Sequence, residues 1–209
     1  MIHKRESRVL RVPQGARSLS HPEGWGCLLC ILIPALSGCF LQGQSWAMLT
    51  THALANNQLL TLWTGHLLHY TLEHFVWDAL MFVGFACLLW REERWRLWLW
   101  LFIAAPLISI VVFRVDPGLS EYRGLSALDS MLFTRYCLGI AVFSKGWDRL
   151  LFGLVPLAAL TGKIIYELTA GSALFVSDLG PGVVPLPSAH IAGMLLGGVW
   201  MASVCVRKT

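Results

Sequence analysis

The sequence predicts an all-α, polytopic membrane protein with six transmembrane helices in a single domain. The 209 residues are 56% hydrophobic and only 13% charged, and their mean hydropathy of +0.62 is far more apolar than that of a soluble domain. In addition, six segments come near the roughly 20 apolar residues with which an α-helix crosses about 30 Å of hydrocarbon.

Short polar or Pro/Gly-containing stretches, such as residues 91–94 and 116–118, separate the predicted spans. Residues 1–25 are predicted to form a basic cytoplasmic tail, residues 26–205 the membrane domain, and residues 206–209 a short cytoplasmic C-terminus. In chain order the six spans are residues 26–42, 70–90, 97–114, 124–143, 150–170 and 186–205.

The distribution of basic residues favours a cytoplasmic N-terminus, because cytoplasmic loops hold most of the Lys and Arg of a membrane protein. Arg114 and Arg123 then lie outside, while Arg135 and Lys163 fall within spans, where ionisable groups face the bundle interior or a wet cavity. The net charge of +4 therefore reflects topology, and no nucleic-acid partner is predicted. The basic residues placed inside are 12 of the 16: Lys4, Arg5, Arg8, Arg11, Arg17, Arg91, Arg94, Arg96, Lys145, Arg149, Arg207 and Lys208.

The first span has a second interpretation. Leu36-Ser37-Gly38-Cys39 follows a basic region and a short apolar run, and this arrangement resembles a bacterial lipoprotein processing site. Cleavage there would remove the first helix. The topology described above requires that helix in place, so we interpret it as a signal-anchor span.

Two polar residues lie at similar depth in the fourth and sixth spans. Ser126 is about one turn into the fourth span, and His190 is about one turn into the sixth from the same outside face. Gly193 and Gly197 form a GxxxG pattern, which lets the sixth helix approach a partner such as the fourth closely. A serine nucleophile needs an adjacent base, and a neutral imidazole supplies one. Each residue alone also fits a packing or hydrogen-bonding role between helices.

A third polar cluster runs into the outside end of the second span. His74 and Asp78 are four residues apart and share a helix face, so they are candidates for stabilising a developing oxyanion beside the Ser126 backbone N–H. Interfacial histidines are one alternative. A metal site at His66 and His69 is another, although the sequence has no HExxH motif and no second ligand-rich span. No metal or cofactor is predicted.

In this order and on these spans, the three clusters resemble the rhomboid family of intramembrane serine proteases, over about residues 60–205. The family carries an HxxxN motif on its second helix, a GxSG-like motif opening the fourth and an AHxxG motif on the sixth. The corresponding runs here are His74 to Asp78, Gly124-Leu125-Ser126-Ala127, and Ala189-His190-Ile191-Ala192-Gly193.

This resemblance implies a rhomboid-like six-helix bundle in which a Ser126–His190 dyad cleaves transmembrane or membrane-adjacent segments of client proteins without a cofactor. It also places His74, Asp78 and Gly124 at the oxyanion and substrate site. The chain looks most like the rhombosortase branch, which trims C-terminal sorting tails from exported bacterial proteins. The expected location is therefore a bacterial inner membrane, with membrane-anchored proteins as partners and both termini in the cytoplasm.

The chain departs from the family pattern at two places. Asp78 stands where the family usually has Asn, and only a neutral carboxylic acid, such as an apolar site can maintain, donates to an oxyanion. Ala127 replaces the glycine after the serine, and Ser130 stands where many rhomboids have an aromatic that stacks on the histidine. Asp129, on the same helix, is then a candidate for orienting His190, with an interhelical hydrogen bond as its alternative role.

The remaining charged residues within the spans are assigned structural roles, and one outside loop is assigned a role as a cap. Lys163 and Glu167 are four residues apart on the fifth span and are predicted to neutralise each other. Arg135 needs a partner that the sequence does not identify. The outside loop 171–186 is rich in Gly and Pro and lacks basic residues, so we interpret it as a mobile cap over the site.

Two competing functions share these residues. Pro187-Ser188-Ala189-His190 also resembles a segment of membrane lipid-phosphate phosphatases, but the 19 residues after His190 contain neither the histidine nor the aspartate that this class requires further along. Rhomboid-like pseudoproteases keep the fold and bind membrane segments without cleaving them, and the Asp78 departure leaves this alternative open. Reactivity of Ser126 toward a serine-directed probe separates enzyme from binder.

Overall fold

A computed structural model describes residues 22–174, 176 and 183–208. Most of the predicted tail, residues 1–21, lies outside this part of the chain. The helices are α1 (Pro22–Phe40), α2 (Thr51–Ala55), α3 (Thr61–Thr64), α4 (Leu72–Glu93), α5 (Trp95–Val115), α6 (Ser126–Phe143), α7 (Gly146–Asp148), α8 (Val155–Ala170) and α9 (Pro187–Lys208). The short strands are β1 (Leu49–Thr50) and β2 (Glu121–Tyr122), and short helical turns cover Ser45–Ala47, Gly65–Leu67 and, as a π-helix joining α7 to α8, Arg149–Leu154.

Five helices in the described part of the chain are long and apolar enough to cross a membrane, which confirms an all-α polytopic membrane protein. They correspond to the second through sixth predicted spans. The first predicted span forms a shorter apolar helix, Trp25–Phe40, so the count of six remains a prediction. The five are Leu72–Glu93, Trp95–Val115, Ser126–Phe143, Gly146–Ala170 and Pro187–Arg207.

Helix α6 lies at the centre of the bundle. It packs against α4, α8 and α9 and buries residues on every side, whereas α5 and α8 expose large apolar side chains such as Phe102 and Leu168. Because α6 begins at Ser126, that serine stands at the end of the central helix. The buried residues of α6 are Ala127, Leu128, Asp129, Ser130, Met131, Leu132, Thr134, Arg135, Cys137 and Ala141.

The predicted close packing of the fourth and sixth helices is confirmed by two glycines of α9. A Cβ atom on Gly193 would lie 2.0 Å from the carbonyl oxygen of Ala127, and one on Gly197 would lie 2.5 Å from that of Met131. These distances leave no room for any side chain. The GxxxG pattern therefore brings the backbones of α6 and α9 into contact, and it does so directly beside Ser126.

A short antiparallel pairing positions the segment that enters α6. Leu49 of β1 pairs with Tyr122 of β2, and the backbone N–H of Gly124 donates to the carbonyl oxygen of Gly65 at 3.4 Å. The Tyr122 hydroxyl donates to the Gly124 carbonyl at 3.3 Å. Leu49, before α3, and Gly65, directly after it, thus hold residues 122–124 in place and fix where α6 begins.

Candidate active site

Ser126 is the first residue of α6 and is half-buried. The first i to i−4 bond of this helix runs from the Asp129 N–H to the Leu125 carbonyl at 2.9 Å. The N–H groups that precede it, those of Ser126 and the next two residues, have no partner within the helix. Such groups carry partial positive charge and suit a developing oxyanion. The local structure therefore presents a serine hydroxyl beside backbone donors.

His190 lies in the first turn of α9 and is buried among charged neighbours from α8. Its Nδ1 atom is 3.0 Å from Oε2 of Glu167 and 3.2 Å from Nζ of Lys163. Lys163 Nζ in turn donates to the two Glu167 carboxylate oxygens at 2.7 Å and 2.8 Å. The predicted Lys163–Glu167 pair is confirmed, and the structure adds a contact to His190 that the sequence did not indicate.

Ser126 and His190 line the same cavity, which has a volume of about 820 Å³. They approach it from facing helices, since Gly193, one turn beyond His190, rests against the carbonyl of Ala127. Within the described part of the chain, no hydrogen bond joins the two side chains. Apo enzymes often tighten such contacts only when substrate binds. The fold thus gathers the nucleophile and base predicted from the sequence at one surface.

The helix face shared by His74 and Asp78 is confirmed and includes a further histidine. Nε2 of His74 and Nε2 of His69 each lie 3.2 Å from Oδ2 of Asp78, and the two imidazole rings meet edge to face at 5.0 Å. Neither contact to Asp78 has the alignment of a hydrogen bond, and Asp78 Oδ2 has no hydrogen-bond partner among the described residues. From the sequence, His69 is a candidate interfacial histidine or metal ligand, whereas the structure places it beside Asp78.

Gly124 connects this cluster to the start of α6. Its φ of +122° lies in the region that favours glycine. A Cβ here would stand 3.0 Å from Nε2 of His74 and 3.3 Å from Oδ2 of Asp78. The three residues that the resemblance placed at the oxyanion site are therefore adjacent, and His74 and Asp78 both line the cavity.

The hypothesis that Asp129 orients His190 is wrong, because the hydrogen bond to Nδ1 is made by Glu167. Asp129 is buried and lines the cavity, but neither carboxyl oxygen has a hydrogen-bond partner in the described part of the chain. Glu167 could have been found from one signal in the sequence, its position three residues from the outside end of the predicted fifth span, at a depth similar to that of His190 in the sixth.

His66 takes no part in this site. Its Nε2 is 2.9 Å from the Ala105 carbonyl and 3.1 Å from Oγ of Ser109, and its ring meets Tyr122 edge to face. Complete burial lowers the pKa of His66 to about 4, which keeps it neutral. His66 and His69 thus have different neighbours, and among the described residues no group of three His, Cys, Asp or Glu side chains is arranged to hold a metal ion.

Apolar side chains form much of the remaining cavity wall, and Tyr70 lines it with its ring against Arg123. Burial raises the pKa of Tyr70 to about 12. The described ends of the predicted cap also contribute to the wall, while residues 175 and 177–182 of that loop lie outside the described residues. The apolar lining includes Trp77, Met81, Phe133, Leu160, Val176, Val183, Val184 and Leu186.

No protein-family model matches this chain, and no curated protein sequence matches it either. The resemblance to rhomboid proteases therefore rests on the motifs and on the arrangement of the residues that carry them.

Proposed function

We propose that this protein is an intramembrane serine endopeptidase of the rhomboid type, with Ser126 as nucleophile and His190 as general base. The observation that supports the proposal most strongly is the cavity that both side chains line from facing helices. A serine beside free backbone donors and a histidine with one ring nitrogen already bonded are the two groups that acyl transfer requires.

In the proposed reaction, Ser126 Oγ attacks the carbonyl carbon of a client peptide bond while His190 takes the hydroxyl proton. His190 then gives this proton to the leaving amine as the C–N bond breaks. A water molecule, deprotonated by the same histidine, hydrolyses the acyl ester and restores the serine. Backbone N–H groups at the start of α6, together with His74, stabilise the oxyanion. Both chemical groups come from the chain, so the reaction needs no cofactor.

The clients in this proposal are membrane-anchored proteins, cut within or beside a transmembrane segment. A cavity of about 820 Å³ with largely apolar walls suits an extended apolar segment. Following the rhombosortase resemblance, we propose that these segments are C-terminal sorting tails of exported proteins in a bacterial inner membrane. The concentration of basic residues in the predicted inside loops supports cytoplasmic termini.

Labelling with a fluorophosphonate probe tests the proposal. The purified, detergent-solubilised wild type is expected to label, and both Ser126→Ala and His190→Ala are expected to lose the label. Circular dichroism and size-exclusion chromatography establish that the variants are folded. A folded wild type that fails to label would contradict the protease and make a client-binding pseudoprotease the leading account.

The role of Asp78 has a separate test. If a neutral Asp78 assists His74 in binding the oxyanion, Asp78→Asn keeps a donor at the same place, and the rate of labelling is expected to stay equal or rise. Complete loss of labelling in a folded Asp78→Asn protein would exclude this role. The carboxylate would then be required as an acceptor beside His69 and His74.

A further inference from the structure

Glu167 is a buried carboxylate whose contacts exceed those of a simple charge pair. Lys163 alone, four residues earlier on the same helix, would neutralise it. Glu167 nevertheless turns one oxygen, Oε2, to within 3.0 Å of His190 Nδ1, and only 2% of its side chain is exposed. A carboxylate taken so far out of water needs several partners, and here one of the partners is the proposed general base.

The neighbours of His190 determine which of its two ring nitrogens carries the proton. A neutral imidazole carries its proton on one nitrogen and accepts with the other, whereas a lysine ammonium has three donors and no acceptor. If Nδ1 bears the proton, it donates to Glu167 Oε2, and Nε2 is free to take a proton from Ser126. If Nδ1 carries no proton, Lys163 donates to it across 3.2 Å. The proton then lies on Nε2, which can no longer accept a proton from Ser126.

The distances favour the productive form. Lys163 is already occupied by two short contacts with the carboxylate, at 2.7 Å and 2.8 Å. Its contact with Nδ1 is longer than either of these and longer than the contact between Glu167 and Nδ1. Leu174 adds a backbone N–H at 3.5 Å from Glu167 Oε1. The carboxylate is thus held from several directions with one oxygen directed at the histidine.

We propose that Glu167 is the positioning residue of His190, and that Lys163 fixes that carboxylate, so the catalytic unit is Ser126–His190–Glu167 rather than a dyad. This inference rests on the proposed function for its catalytic meaning. Glu167 fixes the ring orientation and the proton position, and its charge stabilises the imidazolium that forms when Ser126 is deprotonated. A carboxylate fills the same role in Ser-His-Asp hydrolases.

Removing the carboxylate while keeping the shape of the side chain tests this role. Glu167→Gln is expected to reduce the rate of fluorophosphonate labelling by up to about 10⁴-fold, the order of loss seen when the carboxylate of a Ser-His-Asp triad is replaced. Glu92→Gln makes the same chemical change on α4, and its rate is expected to match the wild type. Equal rates for Glu167→Gln and wild type, with wild type labelling, would overturn the inference and leave the proposed function intact.

The pH dependence distinguishes positioning from a structural role. The charged groups that contact His190 are Glu167 and Lys163 of α8. The cavity is also lined by Asp129 of α6, by His74 and Asp78 of α4, and by Glu121 and Arg123 before α6. Without the Glu167 charge the imidazolium loses its stabilisation, so the acid limb of the labelling-rate profile moves to lower pH in Glu167→Gln. In Lys163→Met a repelling cation is removed, and the limb moves to higher pH. If the acid limb stays at the wild-type pH in both variants, the proposal is contradicted.

A spectroscopic measurement tests the inference without any activity. In protein labelled with ¹⁵N-histidine, the signals of His190, assigned by their loss in His190→Ala, are expected to report a proton on Nδ1. The expected form in Glu167→Gln has the proton on Nε2, and Glu167→Asp is expected to recover part of the Nδ1 form. A wild-type His190 protonated on Nε2 would overturn the assignment, even if the protein labelled no probe.

Discussion

Among the buried charges of the described residues, an inner cluster and a cavity cluster differ in what surrounds them. The inner cluster comprises Arg135 with Glu92, Glu93 and Arg207. Arg135 contacts Glu93 directly, lies 3.3 Å from Glu92 and packs over the Trp200 ring at 5.7 Å. The cavity cluster comprises Lys163, Glu167 and His190, which meet at the wall of the cavity that Ser126 also lines.

Buried charge alone does not mark a functional site. The side chains of Arg135 and Glu93 are 2% and 4% exposed, and the aromatic ring of Trp200 lies against the guanidinium, so this pair holds α4 and α6 together. Lys163 is 18% exposed and shares its carboxylate with the imidazole of His190, a group that can accept and release a proton. Access to the cavity and a titratable partner distinguish the second cluster.

The largest expected effect concerns the inner cluster. Arg135→Leu leaves the buried Glu93 carboxylate without its main partner, and the expected loss is about 3–5 kcal/mol of unfolding free energy. Arg149→Leu, at an exposed position, is the control and is expected to change little. Unfolding in mixed detergent micelles measures both, and labelling per folded molecule should remain near wild type. Loss of labelling without loss of stability in Arg135→Leu would contradict the structural role of the inner cluster.

Low pH is expected to destabilise the folded protein, and this limits the pH range in which the cavity cluster can be studied. The pKa of His66 is about 4 in the folded protein because of burial and about 6.5 when unfolded. The unfolded state therefore binds the extra proton first, and stability falls as pH drops from about 6.5 to about 4, by roughly 3 kcal/mol in all. His66→Gln is expected to flatten this part of the stability curve. His52→Gln, at an exposed histidine, should leave it unchanged, and a steep curve in His66→Gln would contradict the assignment.

The packing of α6 against α9 supports both clusters, and glycines of α9 make this close packing possible. Gly193→Ala forces a methyl group into the Ala127 carbonyl beside Ser126, so we expect about 1–3 kcal/mol of destabilisation and reduced labelling of the protein that remains folded. Gly198→Ala is the matched control, because a Cβ there meets nothing within 4 Å. Thermal unfolding and probe labelling of the two variants check the prediction, and equal behaviour would contradict the packing.

The smallest expected effect concerns Ser188, the serine two residues before His190. Its Oγ donates to Oδ2 of Asp116 at 2.5 Å, which ties the start of α9 to the end of α5. Ser188→Ala is expected to cost about 1 kcal/mol and to retain labelling, unlike Ser126→Ala. Loss of labelling in a stable Ser188→Ala protein would move the nucleophile to Ser188 and reopen the other interpretations of the segment around His190.

Much of the fold follows from one-dimensional pattern. The limits of the second to sixth spans were predicted to within a few residues, because apolar length and flanking charge are local properties of the chain. The first span stays a prediction, since the apolar helix there, Trp25–Phe40, is shorter than the other five. The His74–Asp78 face was predicted too, because i, i+4 neighbours on a helix meet whatever surrounds them.

Apolar length and charge placement in the sequence predict a membrane protein, the limits of its long helices, and a similar depth for Ser126 and His190. The contact of Glu167, not Asp129, with His190 and the pairing of Arg135 with Glu92 and Glu93 follow from the packing of the bundle. These contacts depend on the rotation of each helix about its own axis. Depth along a helix is set by residue number, but the neighbour that a side chain meets depends on how each helix is turned, and packing of the whole bundle fixes that turn.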